Sequence, residues 1–236
     1  MPRSRVSLLG WVVAATFVLA TLLQLVDELN LVATPPELPE TSNMVDRALG
    51  SVEYRQSIWP VFLWTNLLFA AGFIAAVAFA AAVASRVDGT PTFRSLATTG
   101  GIIGAIASII PIGAVNGAVW LQYCDCGFKE TEIVSQQWAG MVALDIADWF
   151  NRVASVVLGI ALIALVREAG RFITPLLRTF TYLVAAALLA VPILATIARV
   201  GEITQLLAAI TGLILIPVWA VWLARSIDRA PDAVAT

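Results

Sequence analysis

Histidine is missing from the sequence altogether, and lysine occurs only once, at Lys129 in a predicted loop. Without histidine the chain can form no bis-histidine haem, no histidine-ligated zinc or iron and no Ser-His or Cys-His nucleophile pair. A single lysine in a loop also excludes a lysine-bound chromophore inside a helical bundle. We therefore expect no metal, no cofactor and no catalytic residue.

Charge is also scarce. Only 13% of the residues are charged, whereas 60% are hydrophobic, and the mean hydropathy is +0.89. A soluble domain has about 25% charged and about 45–50% apolar residues. No stretch between the apolar segments is long enough to build a soluble domain. The composition therefore predicts an all-α polytopic membrane protein whose partner is the lipid bilayer and not a nucleic acid.

Six apolar segments are long enough to cross a bilayer, which takes about 20 helical residues. They predict one transmembrane domain over residues 1–236, with spans at 8–26, 59–85, 96–123, 147–166, 179–198 and 203–224. The first loop, residues 27–58, has helix start and stop signals at Ser42 and Gly50. A short helix lying on the outer surface is predicted there.

Lysine and arginine set the orientation. Nine of the 14 fall on the side of the two termini and five on the other side. Because loops rich in lysine and arginine stay in the cytoplasm, both termini are predicted to be cytoplasmic, in a plasma (inner) membrane.

The fourth span begins with charge. Its charge-free part, residues 153–166, is shorter than the roughly 20 residues of a full span, so Asn151 and Arg152 are predicted to lie inside the membrane. Asp145, Asp148 and Arg152 follow one another at helical turns and share a face. An arginine in hydrocarbon is costly, so we expect Asp148 to pair with Arg152 on a face that avoids lipid.

Polar side chains in the spans are concentrated in the outer halves, and the inner halves hold only scattered serine and threonine. Those within the spans are Gln24, Asn66, Asn116, Asn151, Arg152 and Gln205, and those at the outer ends include Asp145, Asp148, Arg199 and Glu202. Unpaired polar groups are disfavoured in lipid, so these residues are expected to converge. Two interpretations stay open: a solute vestibule open to the outside, or a polar network that only fixes helix packing.

Small residues recur every fourth position in two spans, which lets helices approach closely. They are Gly72, Ala76, Ala80 and Ala84 in the second span and Gly100 and Gly104 in the third. The repeats fit ordinary helix packing, or a face used by a second copy or by a partner in a membrane complex.

Cys124 and Cys126 flank Asp125 at the outer end of the third span. A disulfide across one intervening residue would be strained and labile. Two thiols alone make a poor metal site.

Three functions fit these observations. The first is a small permease or channel-like protein with an outward-facing polar vestibule. The alternative is a structural or accessory subunit, a sensor or an assembly factor of a membrane complex. The third is an intramembrane enzyme, against which stands the absence of histidine and of G-x-S-x-G or G-x-G-D motifs.

Overall fold

The structure, a computed structural model, describes residues 3–34, 50, 54–87, 89–123, 130–170, 172–197 and 201–229. These residues form helices joined by short turns, with no strand among them. The helices are α1 Arg3–Glu28, α2 Trp59–Ala84, α3 Pro91–Tyr123, α4 Glu130–Ala169, α5 Pro175–Ile197, α6 Gly201–Ile210, a π-helix Thr211–Leu215 and α7 Ile216–Arg229. The last three are continuous and form the sixth span.

In the described part of the chain, six helices are long and apolar enough to cross a membrane, which confirms the predicted all-α, six-span fold. The fourth differs most from its predicted bounds. Helix α4 has 40 residues and begins at Glu130, whereas the predicted span starts at residue 147. Hydropathy marks only the part of a helix that lies in lipid, and the preceding glutamates and glutamines are good helix formers in water. The predicted surface helix in the first loop lies outside the described residues.

Helix starts follow local rules. Proline occupies the first or second position of α2, α3 and α5, where its missing N–H would have no helical partner anyway. The turn before α3 contains Gly89 at φ 83°, a conformation that favours glycine. Glu168 of α4 then accepts hydrogen bonds from the N–H groups of Thr92 and Phe93, at 3.1 and 3.0 Å. This carboxylate caps the first turn of α3 from another span.

The six spans close into a ring. Each helix packs against its neighbours in the order α1, α2, α3, α4, α5 and the sixth span, which packs back against α1. One end of the ring, the arginine-rich face, carries Arg5, Arg86, Arg94, Arg167, Arg178, Arg225 and Arg229 among the described residues. The opposite end, the acid-rich face, carries Asp27, Glu28, Asp145, Asp148 and Glu202.

Close helix packing uses the small residues that the sequence repeats. A Cβ on Gly72 would lie 3.1 Å from the ring of Phe17 in α1, and one on Gly100 would lie 2.9 Å from Leu158 in α4. A Cβ on Gly104 would lie 2.6 Å from the ring of Phe73 in α2. These three glycines therefore pack against other spans of the same chain.

The π-helix in the sixth span has a local cause. Pro217 cannot donate a backbone hydrogen bond, and its ring crowds the preceding turn. The turn before it is wider, and the Ile216 N–H donates to the Thr211 carbonyl five residues earlier. Gly212 lies against α1 here, and a Cβ on it would overlap the Thr21 hydroxyl.

Candidate functional site

An axial cavity of about 60 Å³ lies at the centre of the ring, on the side of the arginine-rich face. Every span contributes to its wall, and the wall is apolar. The lining residues are Val13 and Phe17, Ala76, Phe79 and Ala80, Phe93 and Ala97, Leu158, Ala161 and Leu162, Val184 and Leu188, and Ile216 and Trp219. A small cavity with no polar group on its wall stays dry.

Aromatic rings fix the shape of the axial cavity. Phe79 and Trp219 meet edge to face with their centroids 6.0 Å apart. The Trp219 indole N–H donates to the Thr181 hydroxyl at 3.1 Å, and that hydroxyl donates to the Leu177 carbonyl at 2.8 Å. The polar atoms near the cavity are thus bonded within its wall, which leaves only carbon surface toward the axis.

The helix faces that line the axial cavity carry polar residues closer to the acid-rich face. Gln24 follows Phe17 by seven residues and Asn151 precedes Leu158 by seven, which is two turns in each case. Thr65 precedes Ala76 by eleven residues, or three turns. Asn151 is exposed although its face-sharing neighbours Ala147 and Ala154 are buried. By helical spacing, these three residues continue axis-lining helix faces toward the acid-rich face.

Hydrogen-bonding capacity is only partly used in this polar half. Gln24 donates from Nε2 to the Glu28 carboxylate at 2.7 Å. The buried hydroxyls of Thr21 and Thr65 have no hydrogen-bond partner among the described residues. An unpartnered buried hydroxyl costs free energy, so the acid-rich half contains polar atoms that its own helices do not satisfy.

A charged cluster lies at the acid-rich face beside this half of the axis. The Tyr54 hydroxyl donates to Asp27 at 2.7 Å, and burial together with this carboxylate raises the pKa of Tyr54 to about 12. The pKa of the Arg55 guanidinium is lowered, because the effect of burial outweighs that of the negative charges of Asp27 and Asp145. The cluster joins the end of α1, the residues before α2 and the middle of α4.

Arg152 makes the ion pair that its spacing predicts. Its Nη2 lies 2.5 Å from Asp148, and its Nη1 donates to the Thr196 hydroxyl of α5 at 3.2 Å. The guanidinium also lies over the Trp149 ring, 5.1 Å from its centroid. Arg152 lines a separate cleft of about 360 Å³ between α4 and α5, away from the axis.

The other predicted polar residues do not meet on the axis. Asn66 donates to the Phe62 carbonyl of its own helix at 2.8 Å. Asn116, Gln205 and Glu202 are exposed on the described surface. Asp145 is exposed too and joins the charged cluster through its charge alone.

Three predicted residues, Arg199, Cys124 and Cys126, lie outside the described residues. The structure also identifies four candidate polar residues that were not predicted from the sequence: Thr21, Thr65, Tyr54 and Arg55. For Thr65 the signal was its position three turns from Ala76 on one helix face. For Tyr54 and Arg55 there was no local signal, since their neighbours come from other spans.

Within the described part of the chain, no three cysteine or acidic side chains lie close enough together to hold a metal ion. Comparison with known protein families, with curated proteins and with solved structures finds no significant match. The class of the protein is defined by the fold itself. Six apolar helices in one chain make it a multi-pass integral membrane protein.

Proposed function

We propose that this protein is a small permease or channel-like protein for small uncharged solutes. The observation that carries the proposal is the ring axis: all six spans line one apolar cavity, and Gln24, Thr65 and Asn151 continue three of these linings toward the acid-rich face. Amide and hydroxyl groups can exchange hydrogen bonds with an uncharged solute that leaves water. The exposed Asn151 gives such a solute a first binding group.

The apolar cavity sets the solute class. Hydrophobic constrictions gate by excluding water, and an ion that enters one loses its hydration at a high cost in free energy. A small uncharged molecule loses far less. In this proposal the polar half collects the solute, and the ring of Phe17, Phe79, Phe93 and Trp219 is the barrier that must widen for passage.

Permeability to glycerol and urea tests the proposal. Proteoliposomes are mixed with either solute, and the rate of volume recovery is followed by light scattering. We expect faster recovery than in protein-free liposomes. Ala161→Phe should fill the axial cavity and abolish the gain, whereas Ile160→Phe, on the exposed side of the same helix, should leave it intact. Asn151→Leu, an exposed change that spares the packed core, should slow recovery.

Equal recovery with and without protein would contradict the proposal. So would equal rates for Ala161→Phe and Ile160→Phe when both variants melt at the wild-type temperature.

The proposed orientation has the acid-rich face outside and both termini in the cytoplasm of a plasma membrane. It rests on the lysine and arginine asymmetry. Ser57 and Ser85 are exposed at opposite faces, so each is changed to cysteine in a chain carrying Cys124→Ser and Cys126→Ser. A membrane-impermeant maleimide should label Ser57→Cys in whole cells and Ser85→Cys only after lysis. The reverse pattern would overturn the orientation.

A second candidate function, an accessory subunit of a membrane complex, is favoured by the length of one hairpin. Helices α3 and α4 have 33 and 40 residues, or about 50 and 60 Å, against about 30 Å of hydrocarbon. Their surplus length suits contact with another protein outside the lipid. Native gel electrophoresis of mild membrane extracts tests this: a complex larger than the purified chain supports the accessory role, and equal migration contradicts it.

A further inference from the structure

A third and larger cavity, of about 1130 Å³, opens on the outside of the ring between α1 and α7. Its walls are mostly apolar and include Trp11 and Val18 from α1 and Val218 and Trp222 from α7. It does not share a residue with the axial cavity. This lateral groove lies on the part of the helices that a bilayer would surround.

Positive charge is concentrated at one end of the lateral groove. Arg225 and Arg229 line it one turn apart at the arginine-rich face, and both are exposed. Arg225 lies over the Trp11 ring, 5.5 Å from its centroid. Within the described residues neither guanidinium has a carboxylate partner. The hydroxyls of Ser226 and Thr174 border the same end.

The length of the groove matches one leaflet of a bilayer. From Val218 to Arg229 helix α7 rises about 16 Å, and half of the hydrocarbon core is about 15 Å. The apolar walls therefore extend over the depth of an acyl chain, and the two arginines lie at the depth of a headgroup.

We propose that the lateral groove binds one anionic glycerophospholipid from the leaflet at the arginine-rich face. Arg225 and Arg229 hold its phosphate and its anionic headgroup through charge-assisted hydrogen bonds. Trp11 and Trp222 pack against the glycerol region, and the acyl chains lie along Val18 and Val218. The site is separate from the proposed solute pathway and stands independently of it.

Lipid binding to the full-length protein in detergent tests the proposal, with phosphatidylglycerol, phosphatidylcholine and inorganic phosphate as probes. Native mass spectrometry gives the bound fraction as each lipid is titrated. We expect phosphatidylglycerol to bind more tightly than phosphatidylcholine. The double variant Arg225→Gln with Arg229→Gln should lose about thirtyfold in affinity for phosphatidylglycerol, at the usual gain per arginine near an anionic headgroup.

The matched control is Arg94→Gln with Arg167→Gln, two exposed arginines at the same face outside the groove. This variant carries the same change in charge and should bind phosphatidylglycerol as the wild type does. Ala15→Trp provides a second test, since Ala15 is exposed on the groove wall and a tryptophan there should displace the lipid without disturbing the core.

Any of four results would overturn the proposal. The first is equal affinity for phosphatidylglycerol and phosphatidylcholine. The second is an equal loss of affinity in the groove variant and the control variant. The third is a dimer in light scattering that Ala15→Trp converts to a monomer, because a second copy would then occupy the groove. Thermal stabilisation by inorganic phosphate as large as that by phosphatidylglycerol would also count against a lipid site.

Discussion

The two halves of the ring are built on different principles although the same six helices form both. In the arginine-rich half, the Thr181 hydroxyl accepts a hydrogen bond from the Trp219 indole and donates one to the Leu177 carbonyl. In the acid-rich half, Thr21 and Thr65 have buried hydroxyls without a partner among the described residues. The largest fully buried side chains follow the same division: all but Ile58 and Val115 lie in the arginine-rich half or near the middle of a span.

This difference suggests separate roles for the two halves: one stabilises the bundle, and the other has polar groups available for interaction. Lipid removes the hydrophobic drive for helix association, so close packing has to supply the stability. The arginine-rich half supplies it. The acid-rich half contributes less packing, and in the proposed function its hydrogen-bonding groups would meet the solute.

Glycine substitutions at matched positions of α3 should give the largest effect. A Cβ on Gly101 would overlap the Val77 side chain and lie 3.1 Å from the Phe73 carbonyl, whereas one on Gly113 would meet nothing within 4 Å. Gly101→Leu should cost about 3 kcal/mol or prevent assembly. Gly113→Leu should be neutral or slightly stabilising. Unfolding in mixed micelles measures both, and an equal loss would mean that the two halves are packed alike.

Much of the architecture follows from the sequence, because span length and composition are local properties. The direction in which a span faces is not local. Lipid is as apolar as the protein core, so a membrane helix has no clear apolar side from which its orientation could be predicted. Gln24 and Asn116 both lie in the outer half of a span, but Gln24 shares a face with Phe17 whereas Asn116 is exposed.

The charged cluster shows the same limit for loops. Arg55 could be predicted to lie near the acid-rich face, but its proximity to Asp27 and Asp145 depends on the order of the helices in the ring. That order is set by side-chain fit between spans, such as Gly100 against Leu158. No pattern within one span specifies it.

Two threonine-to-valine changes test the hydrogen-bond difference at a smaller scale. Thr181→Val removes an acceptor from the buried Trp219 N–H and should cost about 1–2 kcal/mol. Thr65→Val removes a buried hydroxyl that has no described partner, so it should leave stability unchanged or raise it by about 1 kcal/mol. The free energy of unfolding of each variant tests these two expectations. A loss at Thr65 as large as that at Thr181 would mean that the acid-rich half satisfies its polar atoms too.

The smallest effect is expected at the ion pair of Arg152 and Asp148. Asp148 is 58% exposed and Arg152 is 26% exposed, so wherever water and not lipid meets this face the pair is a surface ion pair, which is worth less than about 1 kcal/mol. Asp148→Asn leaves the guanidinium with Thr196 and Trp149. We therefore expect Asp148→Asn to cost less than about 1 kcal/mol, and the double variant with Arg152→Gln to recover most of that loss.

Glu202→Gln, at another exposed acid of the same face, is the control and should be neutral. A loss of about 3 kcal/mol would have the size typical of a buried pair. If it occurred, lipid or another protein would have to cover this face of α4 and exclude water from the pair.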